Sequence, residues 1–122
     1  MDRTEKAVQL HKDGWNCCQA VIGCQCARFD MTEEMAYKLG AFFGGGMRCG
    51  EVCGAATGAL MALGLAYGDE NNRQSTKSQE FLKAFKEEFG AVLCREILAE
   101  HEKKMCPELI RFAANYLEDE FK

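Results

Sequence analysis

The chain has one proline in 122 residues and few runs of β-branched side chains. Little in it breaks a helix and little favours a strand, so helix is expected almost throughout. It also has no block of lysine or arginine, and 15 basic against 19 acidic residues leave a net charge of −4. Nucleic acid and anionic membrane surfaces call for clustered cations, so neither is an expected partner. The longest apolar stretch, residues 52–67, is shorter than the roughly 20 residues a spanning helix needs. Residues 1–6 are polar and lead into no apolar run, so no secretory leader and a cytoplasmic setting are expected.

Several motifs are absent too. No strand precedes Gly44, Gly45 and Gly46, and no Gly-Lys-Ser/Thr or G-x-G-x-x-G pattern follows them, which argues against nucleotide binding. Paired C-x2-C knuckles are missing, so structural zinc is not signalled. There are only two histidines: His11, and His101 between Cys94 and Cys106. His101 can tune a thiol or ligate a metal, although its charged neighbours suit a solvated helix end.

What is present in excess is cysteine. Eight in a chain that is 48% hydrophobic and long enough for one domain with its own core, residues 1–122, point to thiol or metal chemistry rather than a disulfide framework. The run Cys49-Gly50-Glu51-Val52-Cys53-Gly54-Ala55-Ala56-Thr57-Gly58 places two thiols where a glycine-rich turn enters a helix of small residues.

Periodicity and capping signals give seven helices. The first covers 4–12 and closes at Gly14; the second follows an Asn16 cap and covers 17–28. The third starts after Thr32, with Met35, Leu39, Phe42 and Phe43 as its core stripe before the glycine triplet. The fourth spans 51–66 with Gly68 as its cap, and Gly54 and Gly58 let another helix or a cofactor approach its backbone. An exposed connection, 69–74, leads to a fifth helix capped by Ser75 or Thr76, with Phe81, Leu82, Phe85 and Phe89 inward and Gly90 as its stop. A short sixth carries Cys94. The seventh has Cys106 at its N-cap and Pro107 at its first position. The expected fold is an all-α bundle whose central helix is the small-residue fourth.

Cys17, Cys53 and Cys106 each fall at a helix start, where backbone N–H groups and the helix dipole favour a thiolate, and Cys94 stands near the start of its own helix. Cys18, Cys24 and Cys26 read as packing residues. Cys49 and Cys53 are spaced to bridge, to share a metal, or to act as attacking and resolving thiols. Iron–sulfur clusters accept varied cysteine spacing, so dispersed thiolates suit them better than zinc.

The segment Asn16-Cys17-Cys18-Gln19-Ala20-Val21, the element Cys53-Gly54-Ala55-Ala56-Thr57-Gly58 and the isolated Cys94 and Cys106 together resemble the redox-active C_GCAxxG_C_C family, in order and over nearly the whole chain. The resemblance implies Cys17, Cys53, Cys94 and Cys106 as the functional set, with Gly54 and Gly58 shaping their surroundings. Related domains in electron-transfer proteins such as split-Soret cytochromes imply an iron–sulfur role by analogy. The C-x-x-C-H haem motif is absent, so the cytochrome part is not expected.

Three functions follow as expectations. One is an iron–sulfur cluster on Cys17, Cys53, Cys94 and Cys106 for electron transfer or sensing, exchanging electrons with an unidentified redox partner. Another is thiol–disulfide exchange, with Cys53 attacking and Cys49 resolving. The third is a structural or interaction domain with core cysteines. Glycine and alanine faces permit a homodimer.

Overall fold

The computed structural model describes residues 2–69, 76–101 and 105–122, the side chains of residues 100 and 101 excepted. It is all-α: α1 (Arg3–Lys12), α2 (Cys17–Gln25), α3 (Glu33–Leu39), α4 (Gly54–Tyr67), α5 (Lys77–Phe89), α6 (Cys94–His101) and α7 (Cys106–Glu120). Among the described residues there is no strand; Val52 and Leu93 form one isolated antiparallel bridge. No described helix is long and apolar enough to cross a membrane.

Side-chain caps explain the first three helix starts. Asp2 accepts from the Glu5 N–H at 2.8 Å and Thr32 from the Met35 N–H at 3.1 Å. Asn16 and Gln19 satisfy each other's backbone N–H groups, both at 2.8 Å, in a capping box that fixes the first turn of α2. All nine residues of α2 are buried. It packs most extensively on α4, and also on α1, α3 and α7, so α2 and α4 form the central pair. They can approach closely because Gly58 has no side chain: a Cβ there would lie 2.8 Å from the Cys18 carbonyl oxygen. Phe81, Phe85 and Phe89 seal α5 against Phe112 and Tyr116 of α7, as their spacing anticipates.

Three readings need correction. The second helix stops at Gln25; a 3-10 turn carries Cys26–Phe29, and left-handed Asp30 (φ 58°) ends it. The fourth helix begins at Gly54, with Cys53 as its N-cap, because Val52 bridges to Leu93 and the Cys53 N–H is tied to the Val92 carbonyl, which holds the chain extended there. The third helix ends at Leu39, and its expected core stripe is not core. Met35, Leu39 and Phe42 are 61%, 46% and 76% exposed, and only Ala36 is buried. The reason is attachment: Gln19 donates to the Tyr37 carbonyl (2.8 Å) and Asn16 to those of Gly40 and Ala41 (3.1 and 3.3 Å). These bonds turn the Ala36 and Gly40 side of α3 to α2 and the larger residues outward. Of the expected polar connection, residues 70–75, with Ser75, lie outside the described residues; Thr76 precedes α5 as its N-cap.

The glycine-rich turn is a left-handed one. Gly45, Gly46, Met47 and Arg48 have φ of 64°, 67°, 59° and 61°. The two non-glycine residues are strained there, at roughly 1–2 kcal/mol each. Hydrogen bonds hold the turn: Glu51 N–H to Gly46 O at 2.8 Å, and Cys94 N–H to Glu51 O at 2.6 Å.

Candidate functional site

Four helices begin with a cysteine or are capped by one, and they begin at the same place. Cys17 is the first residue of α2, Cys94 of α6 and Cys106 of α7, while Cys53 caps α4. Three local features bring them together. The capping box orients the start of α2. The Val52–Leu93 bridge, with Cys53 N–H bonded to Val92 O at 2.8 Å, sets α4 and α6 side by side. The left-handed turn then lies over the cluster: the Gly45 N–H donates to the Cys17 sulfur, and a Cβ on Gly46 would stand 2.8 Å from Cys94 Cβ.

Every pairing within the quartet is close enough that the state of one sulfur shifts the proton affinity of another, Cys17 and Cys106 most strongly. Cys17, Cys53, Cys94 and Cys106 therefore occupy one locality, although they are spread over ninety positions of sequence. Among the described residues no three His, Cys, Asp or Glu side chains stand in a metal-holding arrangement. As placed, the sulfurs share a neighbourhood rather than a coordination sphere.

The electrostatics divide the four. Cys17 is held down at about 6 from an ordinary 9.0, first by the hydrogen bond from Cys106 and then by the N–H groups of Gly45 and Cys17, against the opposing effect of burial; the charge of His11 helps. Burial pushes Cys53 up to about 12, despite the N–H groups of Ala55 and Ala56 aimed at its sulfur. Burial raises Cys94 as well. Cys106 is raised because it is the proton donor to Cys17. The sequence-based expectation that every helix-start thiol is acidified thus holds for Cys17 alone. A helix N-terminus is worth about 1 kcal/mol, and desolvation of a buried thiolate outweighs it.

The chain matches, over residues 15–120, the family described as "Putative redox-active protein (C_GCAxxG_C_C)". It belongs to that family. No curated protein and no solved structure matches it. In this C_GCAxxG_C_C chain, the CGAxxG element places Cys53 at the cap and Gly54 in the first turn of α4. A Cβ on Gly54 would lie 3.1 Å from Cys17 Sγ and 3.0 Å from the Phe43 carbonyl, so glycine there keeps space beside the sulfurs. Gly58 serves helix packing one turn further on.

The remaining thiols lie elsewhere. Cys18 donates toward the Met61 sulfur at 3.8 Å. Cys24 and Cys26 are buried at the far end of α2, beside charges that include Glu118 and Lys6. Burial raises all three, to about 11 for Cys18 and about 12 for Cys24. Cys49 is exposed beyond the left-handed turn, with its thiol 3.6 Å from the Gly46 carbonyl. Sequence reasoning missed two contributors. Gly45 was visible only as one of three glycines, and His11, on the last turn of α1, carried no signal separating it from an ordinary surface residue. The side chain of His101 lies outside the described residues.

Proposed function

We propose that Cys17, Cys53, Cys94 and Cys106 form a redox site that holds an iron–sulfur cluster for electron transfer or sensing. The observation that carries this is the convergence of four thiols, each at the start of a different helix. The donor set fits the group: four sulfurs, with N–H groups of residues 17, 45, 55 and 56 turned toward sulfur. Four helix N-termini favour the negative charge that thiolates and such a cluster carry. A bound cluster exchanges single electrons at a potential set by N–H···S bonds and burial. The chain's part is to shield the sulfurs, leaving Cys17 and Cys53 at 9% and 2% exposure.

The test is anaerobic purification followed by assay of iron and acid-labile sulfide, with Cys→Ser variants at each of the eight positions. Brown protein with near-equal iron and sulfide, lost at 17, 53, 94 and 106 and kept at 18, 24, 26 and 49, is the expected result. Colourless, iron-free protein after anaerobic reconstitution overturns the reading.

One observation favours a second reading, thiol–disulfide exchange: Cys17 and Cys106 are near enough to couple, with Cys17 held down and Cys106 raised. The Cys17 thiolate would attack a substrate disulfide and expel one thiolate. Cys106, giving its proton to that leaving group, would then attack Cys17 Sγ, close the Cys17–Cys106 bond and release the reduced substrate. For such exchange this pair fits better than Cys53 with Cys49, since the Cys53 thiol is raised to about 12 while Cys17 is held down. A metal-free, reversible two-electron midpoint that disappears in Cys106→Ser supports it.

A further inference from the structure

We propose that a second copy of this chain packs against the apolar face formed by Met35, Leu39, Phe42 and Met47, making a symmetric dimer whose interface borders the cysteine quartet. Met35, Leu39 and Phe42 recur at i, i+4 and i+7. The chain keeps turning beyond α3, with Ala41 N–H bonded to Lys38 O and Phe43 N–H to Gly40 O, so Phe42 stays on the same face. This is the hydrophobic spacing of a helix that packs on another helix, yet the stripe is left exposed among the described residues. Met35, Leu39, Phe42 and Met47 are 61%, 46%, 76% and 42% exposed.

The area fits a second copy. Taking ~200 Å² for a fully exposed large side chain, these fractions leave about 450 Å² of side-chain surface exposed, within the range of the largest patch on a monomer. Homodimer interfaces are roughly 65% apolar, so a face centred on this patch extends to about 700 Å² per copy. A stable interface takes ≈ 800 Å² per partner. Charges of both signs border the stripe: Glu34 and Lys38, paired at 3.2 Å, are each largely exposed. A surface carrying both signs can meet its own copy without like-charge repulsion, as a two-fold interface requires.

The position gives the contact a consequence. Phe42 lies between Ala41, whose carbonyl accepts from Asn16 beside Cys17, and Phe43, whose carbonyl abuts Gly54. Met47 belongs to the left-handed turn whose Gly45 and Gly46 cover Cys17 and Cys94. A copy seated on Phe42 and Met47 therefore holds down the segment that roofs the site.

Sedimentation equilibrium under reductant, from low micromolar to several hundred micromolar chain, tests the proposal while excluding an intermolecular disulfide through exposed Cys49. The expected mass is about 27 kDa, twice the 13.6 kDa of the chain. Phe42→Glu and Met35→Lys, both at exposed positions, should weaken association at least a hundredfold with unchanged helical content. Leu65→Glu, an exposed apolar position on α4 47% accessible, should leave it intact. A monomer at every concentration overturns the proposal, as does a dimer indifferent to Phe42→Glu and Met35→Lys. A monomer that co-sediments with phosphatidylcholine vesicles through these residues assigns the face to lipid and overturns the dimer equally.

Discussion

Helix α4 contains two glycines whose replacement by alanine should have opposite effects, and the difference measures how closely α2 and α4 are packed. Both are in helical backbone, so each Gly→Ala change gains about 1 kcal/mol of intrinsic helix preference. Around Gly64 a new Cβ meets nothing within 4 Å, and the full gain should appear. At Gly58 the same atom would stand 2.8 Å from the Cys18 carbonyl oxygen and 3.0 Å from Val21 Cβ. A backbone oxygen cannot swing aside, so the two helices must separate by several tenths of an ångström. Overpacking of this kind costs about 1–3 kcal/mol, which outweighs the propensity gain. Gly58→Ala is expected to lose up to about 2 kcal/mol and Gly64→Ala to gain about 0.5–1. At this chain length 1 kcal/mol moves Tm by roughly 3–5 °C. Urea unfolding of reduced protein, followed by far-UV circular dichroism, resolves the difference. If Gly58→Ala is as stable as Gly64→Ala, the close approach of α2 to α4 is wrong.

Iodoacetamide labelling of reduced, metal-free protein should show Cys17 reacting with a midpoint near pH 6, moved toward the ordinary thiol value by Cys106→Ala; a midpoint near 9 in the parent chain refutes the hydrogen bond from Cys106. The depressed Cys17 value contributes stability above pH 9 that is lost as pH falls from 9 toward 6. The raised values of Cys18, Cys24 and Cys53 contribute stability below pH 9 that is lost as pH rises toward 11–12. The urea midpoint of metal-free protein should therefore be highest near pH 9, and a flat profile between 6 and 11 contradicts these shifts. Arg48→Gly relieves a left-handed residue at φ 61° and should stabilise by about 0.5–1 kcal/mol in the same assay, whereas Arg48→Val should destabilise.

The helices were legible because their boundaries are written in local chemistry. Asn16, Thr32 and Gly90 act within one turn of themselves, and each marks a helix end as its residue type implies; Pro107 stands one position further in than expected, because Met105 rather than Cys106 is the cap. Three of the quartet, Cys17, Cys53 and Cys106, were legible for the same reason, since a cysteine at a helix start can be recognised without knowing where that helix goes; the set of four with Cys94 came from the family resemblance. The orientation of α3 was not legible. Its strongest apolar stripe faces outward because side-chain amides of α2 bind its carbonyls, a tertiary effect that hydrophobic periodicity does not encode. Nor were the thiol acidities. Helix position acts on all four in the same direction, and the separation of Cys17 from Cys53 and Cys106 comes from burial and from which sulfur donates, both properties of the assembled site.

That separation leads to a proton count. Near neutrality Cys17 is a thiolate, while Cys53, Cys94 and Cys106 are all raised above 9.0 and keep their protons. Metals bind thiolates, so occupation of all four sulfurs must expel the protons still present. At pH 7 that is about three per site. Below pH 6, where Cys17 is itself protonated, it rises to about four, because the metal must now displace that proton too. Zinc, a redox-inert ion with affinity for thiolates, serves as the probe in weakly buffered solution with a pH indicator. Cys106→Ser should lower the count at pH 7 to about two, since the proton donated to Cys17 is no longer on a sulfur ligand and the remaining raised thiols are Cys53 and Cys94. A parent chain that takes up zinc stoichiometrically and releases one proton or none, with no change across pH 6, would show that the four sulfurs do not act on one ion.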